Sequence, residues 1–437
     1  MELVIASSSV DSGISCWDIH TGAEQLRYKA CTSPSHGLTC VGGRFIASSQ
    51  LRDSSASSGS ILYWSWNKPT AEVKSFPAEP ISPLVSNSDG TYIIGGGSLG
   101  DIYFWEVASG NMLKKWHAHY RAVTCLVLSE DESLLVSGSD DGEVCVWSLL
   151  KIFDDIGNKV AKNTYEHKFS EHTLRVTDLI TGYGGCNALI ISSSEDRTCK
   201  VWSMSKGKLL RTINFPSIID AIALDPGEHV FYAGSKDGKI YIASLNGENT
   251  SNSTYGLHII GALSDYSKPV MCLAVNMDGN LLVAGLFDGT IRVLDTRTRQ
   301  VVRTVKHSKC PVNNIVIVNP SLYHQSSNSQ ISRRNTSSIP PPLDKYLDSK
   351  GDNIDLNPKV KLPTPLNATQ DAVYISSGVM NNQIKELQNQ GSSADSETKL
   401  ENLQLQCKTL EQELQKAFKI NRELLKFVAE KVVDGPN

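Results

Sequence analysis

One phrase returns seven times along this chain: small residues, a tight turn of Asp-Gly type, then a run of alternating polarity that ends near a tryptophan. The copies are SSVDSGISCWDI (8–19), SGSILYWSW (58–66), SLGDIYFWEV (98–107), GSDDGEVCVWSL (138–149), SSEDRTCKVWSM (193–204), GSKDGKIYIASL (234–245) and GLFDGTIRVLDT (285–296). Their aligned positions are Trp17, Trp64, Trp105, Trp147, Trp202, Ala243 and Leu294, spaced 47, 41, 42, 55, 41 and 51 residues apart. Four short strands with their turns need roughly 40–45 residues. The longer intervals coincide with polar stretches, KIFDDIGNKVAKNTYEHK (151–168) and NGENTSNSTYG (246–256), read as insertions.

A repeat of that size restricts the fold severely. In VCVWSL (144–149) side chains alternate between two faces, the pattern of a strand packed on both sides. A single four-stranded sheet cannot cover both of its own apolar faces. Neighbours arranged radially can, and a closed ring leaves only short edges. Asp-Gly at 141–142, 237–238 and 288–289 supplies hairpin turns, because glycine takes backbone conformations closed to other residues. The expected fold is all-β, a seven-bladed propeller over residues 1–320. Closure follows from counting strands. ELVIASS (2–8) and GISCWDI (13–19) read as the second and third strands of a blade that lacks its first. After the seventh copy, QVVRTVKH (300–307) is followed by PVNNIVIV (311–318), one strand too many. That surplus strand, at about 311–318, is expected to pair beside 2–8.

The fourth copy, HAHYRAVTCLVLSEDESLLVSGSDDGEVCVWSL (117–149), resembles the WD40 family closely, with His119 ahead of a strand, Ser137 in the next, Asp141 in the turn and Trp147 beyond it. The fifth copy matches through His172, Ser192, Asp196 and Trp202. In that family such a set forms a hydrogen-bonded chain that staples one blade. The resemblance therefore implies a structural role for all eight residues. A catalytic His/Ser/Asp reading is disfavoured, since identical triads in consecutive blades make little chemical sense. The copies ending at Ala243 and Leu294 lack the tryptophan, so their staples are expected to be incomplete.

Little else in the residues suggests reactive chemistry. A formal charge of −4 gives no whole-chain reason to expect nucleic-acid binding, and direct RNA contact stays open. The ten cysteines show no Cys-x-x-Cys spacing, and several sit in apolar runs as small hydrophobes. Gly95-Gly96-Gly97 is followed by no Lys-Ser/Thr and is read as a blade turn instead of a phosphate loop. His117 and His119 could share a metal, but no further ligand is placed nearby in sequence. No cofactor, metal, catalytic residue or membrane span is expected.

Beyond Pro320 the composition shifts. Residues 321–382 are rich in Ser, Asn and Pro and are expected to be a disordered or surface-hugging linker, interrupted by the short motif DAVYISSG (371–378). Over 383–433 the pattern turns helical. Leu400, Leu403, Cys407, Leu410, Leu414, Ala417, Asn421, Leu424 and Val428 alternate spacings of three and four, a coiled-coil seam with one polar position at Asn421. The alternative is a single amphipathic helix lying on the propeller or on another protein. Phe418, Ile420, Leu425 and Phe427 widen its apolar face, which favours partner contact or self-association over a solvated tail.

The whole layout — propeller from the first residues, Ser/Pro-rich linker, terminal leucine-rich helix — resembles the WD-repeat subunit of the Rix complex. The serine-rich opening ASSSVDSGISCWDIHTGAEQLRYKACTSP (6–34) is similar to its plant root-initiation-defective branch. That resemblance implies a nuclear (nucleoplasmic or nucleolar) scaffold without activity of its own. Its implied partners are the other Rix subunits and pre-60S particles, and its implied role is in spacer-RNA processing. A competing reading is a substrate receptor of a cullin-RING ubiquitin ligase: Leu294-Asp295-Thr296-Arg297 approaches the Trp-Asp-x-Arg box of such proteins, with Leu in place of Trp.

Overall fold

The computed structural model describes residues 2–10, 13–29, 31–51, 59–66, 68–153, 165–245, 258–265, 268–319 and 339–347. Among them, seven four-stranded antiparallel sheets form in sequence order, each strand pairing with its neighbour. Blade 4 shows the plan: Val123–Leu128 innermost, then Leu134–Ser139, Val144–Ser148 and Tyr165–Phe169 at the rim. In each blade the strands are named a to d from the inside outwards.

The ring closes as strand counting requires. Val312–Val318 serves as strand a of blade 1 and pairs antiparallel with Leu3–Ser8, from Leu3 opposite Val318 to Ser8 opposite Val312. Ile14–Asp18 and Glu24–Tyr28 complete that blade. The two ends of the repeat region are thus joined in one sheet.

No blade has a core of its own. Seven clusters of buried apolar side chains are found among the described residues, and each straddles two adjacent blades. Strand alternation is the cause. In strand c of blade 4, Cys145 and Trp147 face blade 3, whereas Val144 and Val146 face blade 5. The aligned residues Trp64, Trp105, Trp147, Trp202, Ala243 and Leu294 are all buried in these seams.

Two expectations need correction. The polar stretch 151–168 is not wholly an insertion: a short helix, Leu149–Phe153, buries Leu149 and Ile152, and strand d of blade 4 begins at Tyr165. The rim strand has water along one edge and carries Glu166 and Lys168, so its composition hides its structure. Gly95–Gly97 is not a turn; it lies within strand Tyr92–Gly97. There a Cβ would press against Trp105 and Ile81 at Gly95, Val123 at Gly96 and the Glu79 carboxylate at Gly97. Within the stretch expected to be disordered or surface-hugging, residues 339–347 lie against the propeller, with Leu343 in the seam of blades 2 and 3. The rest of 321–382, the 371–378 motif and the 383–433 helix lie outside the described residues.

Because the closure strand supplies both a sheet partner and a seam, a charge buried in it should open the ring. Val312→Asp, at a fully buried position, is expected to lower stability by more than about 3 kcal/mol. Thermal unfolding checks this.

Candidate interaction face

The hydrogen-bond chains of the blades are complete to differing degrees. In blade 5, Trp202 Nε1 donates to Ser192 Oγ at 2.9 Å, and Ser192 lies 2.8 Å from His172 Nε2. His172 Nδ1 meets Asp196 Oδ2 at 2.9 Å. One proton arrangement satisfies every member: indole N–H to hydroxyl, hydroxyl to Nε2, and Nδ1–H to carboxylate. In blade 4, Trp147 Nε1 and His119 Nε2 lie 2.8 and 2.7 Å from Ser137 Oγ, but His119 Nδ1 stands 3.4 Å from Asp141. Asp141 instead accepts the backbone N–H groups of Glu143 and Tyr120. All eight residues singled out in sequence are therefore brought together in two sets of four, with one link in blade 4 stretched.

Two further arrangements escaped sequence reading. In blade 1, Ala6 stands where Ser137 stands in blade 4, and the hydroxyl comes from its cross-strand partner Ser15. Trp17 Nε1 donates to Ser15 Oγ at 2.7 Å, and Ser15 makes a very short contact with His307 Nδ1. The spacing of His307 from strand a was the available signal. In blade 3, buried Glu79 takes the histidine's place, accepting from Tyr103 OH at 2.8 Å and Leu99 N–H at 2.6 Å. Where tryptophan is missing, local pairs remain: Tyr241 OH to Asp237 in blade 6 and Thr290 to Asp288 in blade 7.

Burial sets the ionisation of these groups. It pushes the Asp196 carboxyl up, but hydrogen bonds from Thr198 and His172 outweigh it and hold the group below the usual carboxylate range. Asp141 behaves likewise, through His119 and the Glu143 and Tyr120 amides. Burial depresses His172 despite Asp196, and drives His307 down to about 4, with Arg27 adding to the effect and Glu24 opposing it.

Because strands alternate in direction, the b–c turns and d–a loops of all blades emerge on one face of the disc, the a–b and c–d connections on the other. The b–c/d–a face carries the exposed side chains of Val10, Phe76, Leu99, Tyr120, Leu174 and Phe287. An arc of alternating charge crosses blades 4 to 6 on this same face. Arg175 lies 3.4 Å from Asp140 and 3.9 Å from Glu195; Lys236 lies 4.0 Å from Glu195 and 3.8 Å from Asp220. Burial pushes Asp220 up to about 6 while Lys236 pulls the other way. Inside the ring, His36 from the loop before blade 2 reaches strand a of blade 5, with Nε2 3.0 Å from the Thr177 carbonyl and Nδ1 3.8 Å from Asp178. The loop carrying it is tied by Asn314 Nδ2 to Ser33 and Pro34. The axial channel is therefore crossed by protein.

The side chains that could suggest a metal site or a ligase box are engaged in local contacts. His119, Glu143 and Cys145 gather ligand-capable atoms within 4.8 Å of one another. Yet Glu143 is paired with Lys168 at 2.7 Å, and burial pushes the Cys145 thiol up to about 12, so a cation would have to displace one already there. His117 points elsewhere, to Asp101 at 2.9 Å. Leu294 is fully buried, and Asp295 accepts the backbone N–H groups of Arg297 and Thr298 within its own turn.

The WD domain, G-beta repeat model matches residues 110–148 and 163–203, and the anaphase-promoting complex subunit 4 WD40 domain model matches 233–319. The chain is 51% identical to Protein ROOT INITIATION DEFECTIVE 3 of Arabidopsis thaliana, over 98% of this chain and 97% of that one. It is 31% identical to WD repeat-containing protein 18 of Bos taurus, over 73% of each. It is 28% identical to Pre-rRNA-processing protein IPI3 of Yarrowia lipolytica, over 82% of this chain and 85% of that one. The crystal structure of the computationally designed Ika8 protein shares the fold, with a TM-score of 0.52 at 23% identity, over 71% of this chain and 85% of that one.

Two measurements test the blade chains. Asp196→Ala should cost about 1–3 kcal/mol through loss of a buried polar link, and Asp141→Ala, whose histidine contact is already stretched, should cost less; melting temperatures rank the two. The second concerns pH. An unfolded His307 takes its proton near 6.5, the folded one near 4, so between those values the unfolded chain binds more protons. Stability should fall as pH drops from about 6.5 to about 4, and His307→Gln should flatten that part of the profile.

Proposed function

Because this chain belongs to the family of WD-repeat proteins that includes ROOT INITIATION DEFECTIVE 3 and WD repeat-containing protein 18, we propose that it is a non-catalytic scaffold in pre-rRNA processing and large-subunit assembly. Near-full-length similarity at 51% identity carries the reading, and a relative named as a pre-rRNA-processing protein supports the process. In finer detail, the chain acts in the nucleus, in the nucleoplasm or nucleolus, as a subunit of a Rix-type complex. It binds the other subunits of that complex and late pre-60S particles.

The b–c/d–a face is the surface through which this scaffold engages protein partners. Exposed Tyr120, Phe76 and Phe287 offer the large rigid apolar area that anchors interfaces, and the Asp140–Arg175–Glu195–Lys236–Asp220 arc offers directional charge beside it. The Leu400–Val428 seam adds a second means of association, either with itself or with a partner helix.

Affinity purification of the tagged native protein should recover pre-60S proteins and a fixed set of stoichiometric partners, and depletion should raise spacer-containing rRNA precursors. Recovery of a ubiquitin-ligase adaptor with normal precursor levels would refute the proposal. Deleting residues 399–437 should leave the propeller's melting temperature unchanged while partner recovery or self-association is lost; unchanged co-purification counts against the tail's role.

A further inference from the structure

Trp105 differs from its counterparts in blades 1, 4 and 5. There a serine hydroxyl within the blade receives the indole N–H. In blade 3 the position opposite Tyr103, where Ser137 stands opposite Cys145, is Gly95. A Cβ on Gly95 would sit 3.0 Å from Trp105 Cζ3, so the ring's carbocyclic edge occupies the space a serine would need. Its N–H is satisfied from outside the repeat altogether: Nε1 donates to the backbone carbonyl of Asp344 at 2.9 Å.

The segment that brings this carbonyl is held at three more points. Leu343 is buried at 6% exposure within the seam of blades 2 and 3, in the cluster that includes Tyr63, Val73, Trp105 and Met112. The Leu343 N–H donates to Ser75 Oγ at 2.9 Å, and the Asp344 N–H donates to the Gly110 carbonyl at 2.8 Å. Gly110 has a φ of +76°, and a Cβ there would lie 2.4 Å from the Pro342 carbonyl oxygen. Room for a guest exists because strand d of blade 2, Val73–Ser75, has three residues, the shortest rim strand among the described blades. Pro340, Pro341 and Pro342 hold the incoming chain extended, which reduces the entropy lost on docking.

We propose that the rim groove between blades 2 and 3 is a binding site for extended, proline-flanked leucine peptides, and that residues 339–347 of this chain are its resident ligand, latched in cis. Recognition has three parts. An apolar pocket takes the leucine, a serine hydroxyl receives its N–H, and an indole N–H meets the carbonyl of the residue after it. Tethering places the segment at an effective concentration on the order of millimolar, so the intact chain keeps the groove filled. Displacing the latch uncovers Trp105 and the pocket together.

A fluorescein-labelled peptide of residues 336–348 tests this with the full-length chain. It should bind full-length Leu343→Asp at least tenfold more tightly than the wild type, and the same peptide carrying Asp at the leucine should bind neither. In a spectrum of ¹⁵N-labelled indoles, the Trp105 N–H should shift in the variant while those of Trp147 and Trp202 stay. Equal affinity for both chains, or an unmoved Trp105 signal, overturns the proposal. Should Leu343→Asp fail to fold, Asp344→Pro removes one backbone donor and leaves the pocket intact; the same peptide should then bind it more tightly than the wild type, and no gain in affinity overturns the site.

Discussion

Everything in this propeller depends on the seam between blades. A four-stranded sheet with apolar residues on both faces is unstable alone in water, and it is a neighbour on each side that makes it stable. The seven clusters show this directly, since none of them belongs to one blade. Stability is therefore shared around the ring, and the final seam is as necessary as the first. That explains why the chain sends Val312–Val318 back to Leu3–Ser8 instead of ending with its seventh copy. Without it, blade 1 would lack its innermost strand and the seam with blade 7 would lose Val312.

Placing a tryptophan in a seam, as blades 1 to 5 do, raises a second problem: its N–H must find an acceptor. The blades solve it differently. Ser137 and Ser192 supply the hydroxyl from strand b, Ser15 supplies it from strand c, and Asp344 supplies a carbonyl from the chain beyond the repeat. Blade 2 is the exception, for Trp64 Nε1 has no partner among the described residues. The physical requirement is for an acceptor at the right place, not for one residue type at one position.

That distinction explains what the sequence disclosed. Blade number and closure were legible because alternation and Asp-Gly turns are imposed on every copy by burial and by backbone geometry. Rim strands such as Tyr165–Phe169 were not, because water on one edge permits polar residues and removes the alternation. Gly95–Gly97 reads as a turn when glycine is taken as a mark of backbone freedom; here the limit is side-chain space against Trp105, Val123 and Glu79. The His307–Ser15 pair was hidden because a hydroxyl moved to the partner strand leaves no fixed spacing. The docked 339–347 segment was hidden by its Ser/Pro-rich surroundings, where Leu343 is a single apolar residue without periodicity.

The same residues that invite a catalytic reading argue against one once placed. A nucleophilic serine needs a free approach to its oxygen and a base able to accept its proton as a substrate carbonyl is attacked. Ser192 is fully buried and receives the indole N–H of Trp202, which lowers the availability of its lone pairs. His172 lies inside the same blade, with Asp196 beside it. Each group is engaged by its neighbour, and together they tie the loop before strand a, strand b, the b–c turn and strand c of the blade rigidly to one another. Rigidity in turn is what allows the connecting turns to carry apolar side chains into solvent. Tyr120, Leu174 and Phe287 sit on short turns whose ends are pinned by the strands, so little conformational freedom remains to be lost when a partner covers them. A surface prepared in that way loses little entropy on association.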